Sequence, residues 1–153
     1  VSDADFHDFS QLRSTYFAAM YGGRDIAQRY ASGILARLLQ EDLPDATVLL
    51  GHDLNLQAVQ SLLGIQWRCG PWAVNALPPL SGPLFTLSDD YVRVDYVCPG
   101  LSDTGPAAVL GEARFANGVS LMPRAEFDAL LSSGIEKSCV NRSLADGDSV
   151  VYV

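Results

Sequence analysis

Basic side chains are scarce in this chain. Ten Lys and Arg residues stand against eighteen Asp and Glu residues, and the formal net charge is −8 at pH 7. Because a nucleic-acid backbone or an anionic membrane surface is bound by a basic face, neither is expected as a partner. No apolar run approaches the length that crosses a bilayer, and residues 1–20 lack the basic start and apolar centre of a signal peptide. We expect the chain to be soluble.

Metal-ligating side chains are also few. The chain has two histidines and three widely spaced cysteines, Cys69, Cys98 and Cys139, which fit no metal-ligand pattern. We therefore expect no metal and no cofactor. Three cysteines form at most one internal disulfide and leave one thiol over, and in an exported protein this odd thiol suggests a partner outside the chain.

The composition favours one folded unit, or part of one. With 153 residues and 48% hydrophobic residues, the chain can bury one sizeable core and does not need two domains. It contains no Gly-x-Ser-x-Gly elbow, P-loop, dinucleotide-binding glycine pattern or His-Glu-x-x-His motif. The hydrolase and nucleotide-binding classes that depend on those motifs are therefore set aside.

Helical periodicity marks the first forty residues. A first helix is predicted over residues 9–20 and ends at Gly22-Gly23, and a second is predicted over about 25–40, opened by Asp25. The apolar stripe of the first helix consists of Phe9, Leu12, Tyr16 and Met20. The wider stripe of the second consists of Ile26, Ala27, Tyr30, Ala31, Ile34, Leu35 and Leu38.

A buried parallel strand is predicted over residues 47–50. This run is apolar or β-branched without alternation, as in strands that are covered on both faces. Gly51 then allows the backbone to turn, and a helix follows with Asp53 at its N-cap. Its apolar residues Leu56, Val59, Leu62 and Leu63 recur at helical spacing.

Loops and a hairpin are predicted for the second half. The Gly- and Pro-rich segment 67–83 is expected to form a long loop whose Trp67 and Trp72 pack onto the core. Residues 84–97 predict an antiparallel hairpin, 98–118 a loop, and 121–131 a short helix. The predicted class is α/β, with a parallel strand followed by a helix and with an antiparallel C-terminal hairpin.

His52 and Asp53 follow the predicted strand and open the helix. In open α/β sheets this position commonly carries the chemistry, and a phosphate there would meet free backbone N–H groups and the positive end of the helix dipole. A purely structural explanation also suffices, in which Asp53 caps the helix and His52 bonds a carbonyl. The second such pair, His7-Asp8, has acidic neighbours and no strand before it, so it is expected at the surface.

The order of these elements resembles the C-terminal part of a histidine acid phosphatase, closest to the bacterial phytase and glucose-phosphatase branch of the phosphoglycerate-mutase-like superfamily. The resemblance rests on four segments, which occur in the family's order. They are Gly51-His52-Asp53-x-Asn55-Leu56, the helix with Asp25-Ile26-Ala27 and Ala31, the segment Leu77-Pro78-Pro79 to Leu87, and the end from Asn117-Gly118 to Cys139. The resemblance implies a portion of a three-layer fold over residues 1–153, without the N-terminal part that bears the nucleophile.

The resemblance also implies a function, acid hydrolysis of phosphomonoesters through a phosphohistidine. His52 would hold a phosphate oxygen, and Asp53 would protonate the leaving alcohol. The family's Arg-His-Gly-x-Arg-x-Pro nucleophile motif is absent from these residues, so the chain is expected to be inactive alone and to need the N-terminal half of the same domain as its partner. A non-catalytic phosphate-binding or interaction module on the same scaffold is the alternative.

Two further residues bear on this resemblance. Leu54 stands where the family usually has Thr, which leaves the substrate open: phytate, a sugar phosphate or a broader range of esters. Cys139 matches a family cysteine whose disulfide partner would lie in the absent part. The resemblance implies a periplasmic or secreted location.

Overall fold

The structure, a computed structural model, describes residues 3–41, 43–100 and 107–140. Its helices are α1 (Asp3–Tyr21), α2 (Arg24–Leu38), α3 (Asp53–Leu63) and α4 (Arg124–Gly134), followed by a short 3-10 turn at Lys137–Cys139. Its strands are β1 (Gln66–Arg68), β2 (Gly82–Leu87), β3 (Tyr91–Pro99), β4 (Ala108–Arg114) and β5 (Leu121–Pro123). This mixture of helices and sheet confirms the α/β class.

The sheet is built around β3. Its order is β1-β4-β3-β2, β5 also pairs with β3, and these pairings are antiparallel. The predicted hairpin is confirmed, because β2 and β3 pair from Gly82 opposite Val97 to Leu87 opposite Val92. Val92, Val94 and Tyr96 alternate with more exposed residues, so one face of β3 lies in the core.

Helix α2 packs against α3 and α4, and two alanines lie in its buried face. Ala27, Ala31 and Leu35 are completely buried, whereas Ile26 and Tyr30 of the same predicted stripe are exposed. The prediction of α2 is thus confirmed, but its buried line is rotated toward the alanines. Short side chains at such a line let two helix backbones approach each other closely.

The apolar stripe of α1 is turned away from the core. Phe9 and Leu12 are 70% and 69% exposed, and Tyr16 and Met20 are about half exposed. The buried side of the helix carries Ser10 and Ser14 instead. Ser10 accepts a hydrogen bond from the backbone N–H of Ala73, which fixes α1 on the loop after β1. Periodicity thus predicted the helix, but it missed the first six residues from Asp3 and did not show which face is covered.

Residues 47–50 do not form the predicted buried strand. The segment has no strand partner in the described part of the chain, and Val48, Leu49 and Leu50 are 80%, 43% and 57% exposed. A strand needs a neighbouring backbone for its N–H and C=O groups, and the described strands pair with one another elsewhere. The apolar pattern indicates that these residues are suited to burial, but it does not show whether a neighbouring strand is present to pair with them.

The C-terminal predictions need two corrections. Part of the loop predicted over 98–118 is strand β4, whose Ala and Gly residues have weak strand propensity; residues 101–106 lie outside the described residues. The helix predicted over 121–131 begins later, because residues 121–123 form β5 and pair with β3. Phe127 and Leu131 of α4 are completely buried, so its core face is as predicted.

Both tryptophans pack onto the fold, as predicted. Trp67 lies in strand β1 and not in the loop predicted over 67–83. It stacks on Tyr96 with ring centroids 4.5 Å apart, and it donates from Nε1 to the carbonyl of Ala76 at 2.8 Å. Trp72 meets Phe6 of α1 edge to face at 4.5 Å. These contacts hold the loop that follows β1 against both the sheet and α1.

Tyr96 predicts a loss of stability in alkali. Burial raises the pKa of Tyr96 from 10.0 to about 12, and the hydrogen bond with Ser81 opposes that shift. Because the pKa is raised in the folded state, the neutral phenol contributes its full stabilisation below about pH 10, and the contribution of about 3 kcal/mol is lost as pH rises through 12.

The measurement is the free energy of unfolding in urea at a series of alkaline pH values. Wild type should lose this stability, whereas Tyr96→Phe, which keeps the ring and cannot ionise, should not. Tyr91→Phe removes an exposed phenol from the same strand and serves as the matched control. Parallel pH curves for wild type and Tyr96→Phe would contradict the assignment.

Candidate functional site

The start of α3 places His52 and Asp53 side by side. His52 is the N-cap residue, with extended backbone angles of −95° and 168°, and Asp53 is the first helical residue. The cap therefore lies one residue earlier than predicted. The imidazole of His52 is exposed, and the side chain of Asp53 is 35% exposed. Both groups are thus accessible at the positive end of the helix dipole.

Asn55 fixes the backbone at this helix start. Its Oδ1 accepts from the backbone N–H of His52 at 2.8 Å, and its Nδ2 donates to the carbonyl of Tyr30 in α2 at 2.8 Å. Only 2% of Asn55 is exposed, so both bonds lie in a buried environment where a lost partner is costly. The side-chain amide of Asn55 therefore accepts from a backbone N–H at the start of α3 and also attaches this start to α2.

Gly51 serves this arrangement by its size. A Cβ atom at this position would lie 3.1 Å from Oδ1 of Asn55 and 3.3 Å from its Cβ. Such contacts are tighter than most side chains accept, so the glycine leaves room for the Asn55 amide. The sequence pattern explained this glycine by a turn of the backbone. The φ angle of Gly51 is not positive, so the structure explains the glycine by the space that it leaves for Asn55.

Arg13 of α1 joins the site from forty residues away. Its Nη2 donates to Oδ2 of Asp53 at 2.6 Å, and its Nη1 donates to the carbonyl of Leu77 at 2.6 Å. The guanidinium lies over the ring of Phe17, 4.8 Å from the centroid. The other oxygen of Asp53, Oδ1, accepts from the backbone N–H of Leu54 at 2.9 Å. Each carboxylate oxygen of Asp53 thus has a defined partner.

Sequence reasoning missed Arg13. It lies within the predicted first helix, beside the apolar stripe, and nothing in its neighbourhood distinguishes it from a solvated arginine. Only the packing of α1 against α3 brings it to Asp53. The sequence singled out Leu77-Pro78-Pro79 for the family resemblance alone, and the structure adds that the carbonyl of Leu77 holds Arg13.

The start of α3 does not border the cavity that lies along α1. A cavity of about 400 Å³ lies along another side of α1, lined by residues that include Gln11, Gln60 and Asn75, and neither His52 nor Asp53 borders it. In the described residues, no three His, Cys, Asp or Glu side chains are grouped so that they could hold a metal ion.

The second His-Asp pair lies at the surface, as expected. His7 and Asp8 have side chains that are 51% and 87% exposed, and Nδ1 of His7 lies 3.7 Å from Oδ1 of Asp8. In the described part of the chain, neither side chain of this pair contacts an arginine or a buried amide. It therefore lacks the supports that surround His52 and Asp53.

Comparison with solved structures gives a likeness in fold. No protein-family model matches the sequence, and no curated protein sequence matches it. The crystal structure of the Klebsiella sp. ASR1 phytase is similar in fold, with a TM-score of 0.70 and 19% sequence identity over 92% of this chain. The match covers 42% of the phytase chain. At this identity the likeness shows a shared fold of the histidine-phosphatase type.

Two further findings concern the class of protein. None of the helices in the described residues is both long and apolar enough to cross a membrane. Cys69 and Cys98 form a disulfide that links the end of β1 to β3, while Cys139 is free. The pairing that the sequence left open is therefore settled for the described residues.

Proposed function

We propose that this chain is the proton-donating half of an acid phosphomonoesterase that acts through a phosphohistidine. His52 binds an oxygen of the phosphate, and Asp53 protonates the oxygen of the departing alcohol. In the first step the P–O bond to the alcohol breaks while a P–N bond forms on the nucleophilic histidine. In the second step the oxygen of a water attacks phosphorus, the P–N bond breaks and frees the histidine, and the carboxylate of Asp53 takes up the proton of that water.

The placement of Asp53 carries this proposal. The carboxyl group lies beside an exposed imidazole at the N-terminus of α3, and it is held by Arg13 and by the N–H of Leu54. The positive end of the helix dipole favours a phosphate here. The backbone N–H groups of His52 and Leu54 already donate to Asn55 and Asp53, so the support comes from the dipole and the side chains. The likeness to a phytase fold adds support, because a phytase releases phosphate from an ester.

We propose that the nucleophile lies outside these 153 residues. The chain contains no Arg-His-Gly motif, and it spans 42% of the length of the phytase that it resembles in fold. Among the described residues, Arg13 and the imidazole of His52 lie at the site, and these two groups can only partly neutralise the charge of a transferring phosphoryl group. The remaining cations would come with the nucleophile.

The apolar surface around α1 fits this missing part of the domain. Residues 48–50 are exposed, and so is a set of large apolar side chains on α1 and α2: Phe9, Leu12, Tyr16, Met20, Ile26 and Tyr30. Phe9, Leu12, Tyr16 and Met20 follow one face of α1, and soluble monomers rarely expose large contiguous apolar patches. The proposed occupant is the nucleophile-bearing part of the same domain, since more than half of the phytase chain lies outside the match.

The isolated chain provides the first test. We expect no turnover of 4-nitrophenyl phosphate at acidic pH, and we expect self-association through the exposed apolar surface in sedimentation velocity. The complete product of the natural gene should hydrolyse the ester. Acid-stopped turnover of labelled substrate should leave the label on a histidine other than His52 or His7.

Three outcomes would count against the proposal. Turnover by the isolated chain that Asp53→Asn abolishes would refute the need for a second part. A complete product that binds phosphate without turnover would favour the non-catalytic module. A monomeric isolated chain would contradict the proposed occupant of the apolar surface.

We also propose a cellular location and a substrate class for the enzyme. Cys69–Cys98 is of the kind that persists in oxidising compartments, which supports a periplasmic or secreted enzyme. The substrate is a phosphomonoester of the phytate type or a broader range of esters, with Leu54 in place of a hydroxyl that could contact it.

A further inference from the structure

Arg13 is held by more contacts than a solvated surface arginine makes. Its two terminal nitrogens donate in different directions, one to the carbonyl of Leu77 and one to Asp53, each at 2.6 Å. Its planar guanidinium also lies over the ring of Phe17. Three elements thus hold one side chain: α1 itself, the loop after β1 and the start of α3.

Only an arginine can make this set of contacts. The guanidinium has donors in a rigid fork and a flat face that stacks on an aromatic ring, whereas a lysine offers a compact point charge. The anchor at Leu77 fixes the fork, and the fork then fixes Oδ2 of Asp53. With Oδ1 held by the N–H of Leu54, the plane of the carboxyl group is defined at both oxygens.

We propose that Arg13 is a positioning residue that orients Asp53 for proton transfer. This inference rests on the proposed function, because it gives Arg13 a role only through the proton donor. A general acid works when it lies within hydrogen-bond reach of the leaving oxygen, and small errors in its position are costly. Arg13 supplies that position through a contact distant in sequence.

The test uses Arg13→Gln in the complete protein and compares two esters. Glycerol 2-phosphate has a poor alkoxide leaving group that needs a proton, whereas 4-nitrophenolate leaves readily without one. We expect kcat for glycerol 2-phosphate to fall roughly tenfold or more, since the whole contribution of a general acid is about 10²–10⁴-fold. We expect kcat for 4-nitrophenyl phosphate and both KM values to change about twofold or less.

Two additional variants make this test specific. Arg13→Lys keeps the charge and should recover part of the lost rate. Arg13→Gln combined with Asp53→Asn should be no slower on glycerol 2-phosphate than Asp53→Asn alone, because residues that act as one unit are not additive.

The control variant is Arg24→Gln. Arg24 also donates to a backbone carbonyl, that of Ser133, whereas the arginine that pairs with Asp53 is Arg13. This variant should hydrolyse both esters at the wild-type rate, and melting temperatures show whether each variant is folded.

The failures of the two proposals can be distinguished. Equal losses on both esters in Arg13→Gln, or additive losses in the double variant, would overturn the role of Arg13 alone. If Asp53→Asn itself showed no preference between the esters, the proposed function would fail and the role of Arg13 with it.

Discussion

Replacing Asp53 with Asn in the complete protein should lower kcat for glycerol 2-phosphate by about 10²–10⁴-fold. Asn has the same shape and can still accept from the N–H of Leu54, but it cannot donate the proton that the departing alkoxide needs. The ion pair with Arg13 is lost as well. KM should change little, because the missing interaction develops only in the transition state.

Asp128→Asn is the matched control for this variant. Asp128 also pairs with an arginine, Arg124, at 2.9 Å, and its side chain is 38% exposed against 35% for Asp53. The two substitutions thus remove the same kind of contact at similar exposure, and only one of them is at the proposed site. A comparable loss of kcat in both variants would mean that the effect is structural.

Loss of the Cys69–Cys98 disulfide should have the second-largest effect, a decrease of about 3–4 kcal/mol in the free energy of unfolding. The bond closes a loop across a sequence separation of 29, so it removes much conformational freedom from the unfolded chain. In a domain of this size, the loss corresponds to roughly 10 °C in Tm.

The variant Cys69→Ala/Cys98→Ala is compared with wild type by thermal and urea unfolding. Cys139→Ala is the control, since Cys139 is free and should contribute little to stability. Wild type treated with a reductant should lose stability in the same way as the double variant. Identical stability of the oxidised and reduced proteins would contradict the expected contribution.

The spacing of apolar residues along the chain predicted the type of several helices and strands. The alternation of Val92, Val94 and Tyr96 indicated β3 and its buried face, and the spacing in α2 indicated a helix. Where one element depends on another, the sequence was less informative. The apolar stripe of α1 says that a face is suited to burial, but not what covers it, and residues 47–50 resemble a strand without the neighbour that a strand requires.

At the candidate site, too, some residues could be predicted from neighbouring sequence and others only from the packing of helices. The pair His52-Asp53 could be found because it follows an apolar run and precedes a helix, which are features within ten residues. Arg13 could not be found, because its partner is forty residues away and only the packing of α1 places the two together. The roles of Gly51 and Asn55 are intermediate, since the motif named them but only the structure shows the buried amide between them.

The dependence of kcat on the leaving group tests the central claim most directly. A series of alkyl and aryl phosphates, ordered by the pKa of the alcohol released, is assayed with the complete wild-type protein and with Asp53→Asn. If Asp53 is the proton donor, log kcat should vary little with that pKa in wild type and fall steeply with it in the variant. The same slope in both proteins would show that Asp53 does not protonate the leaving group.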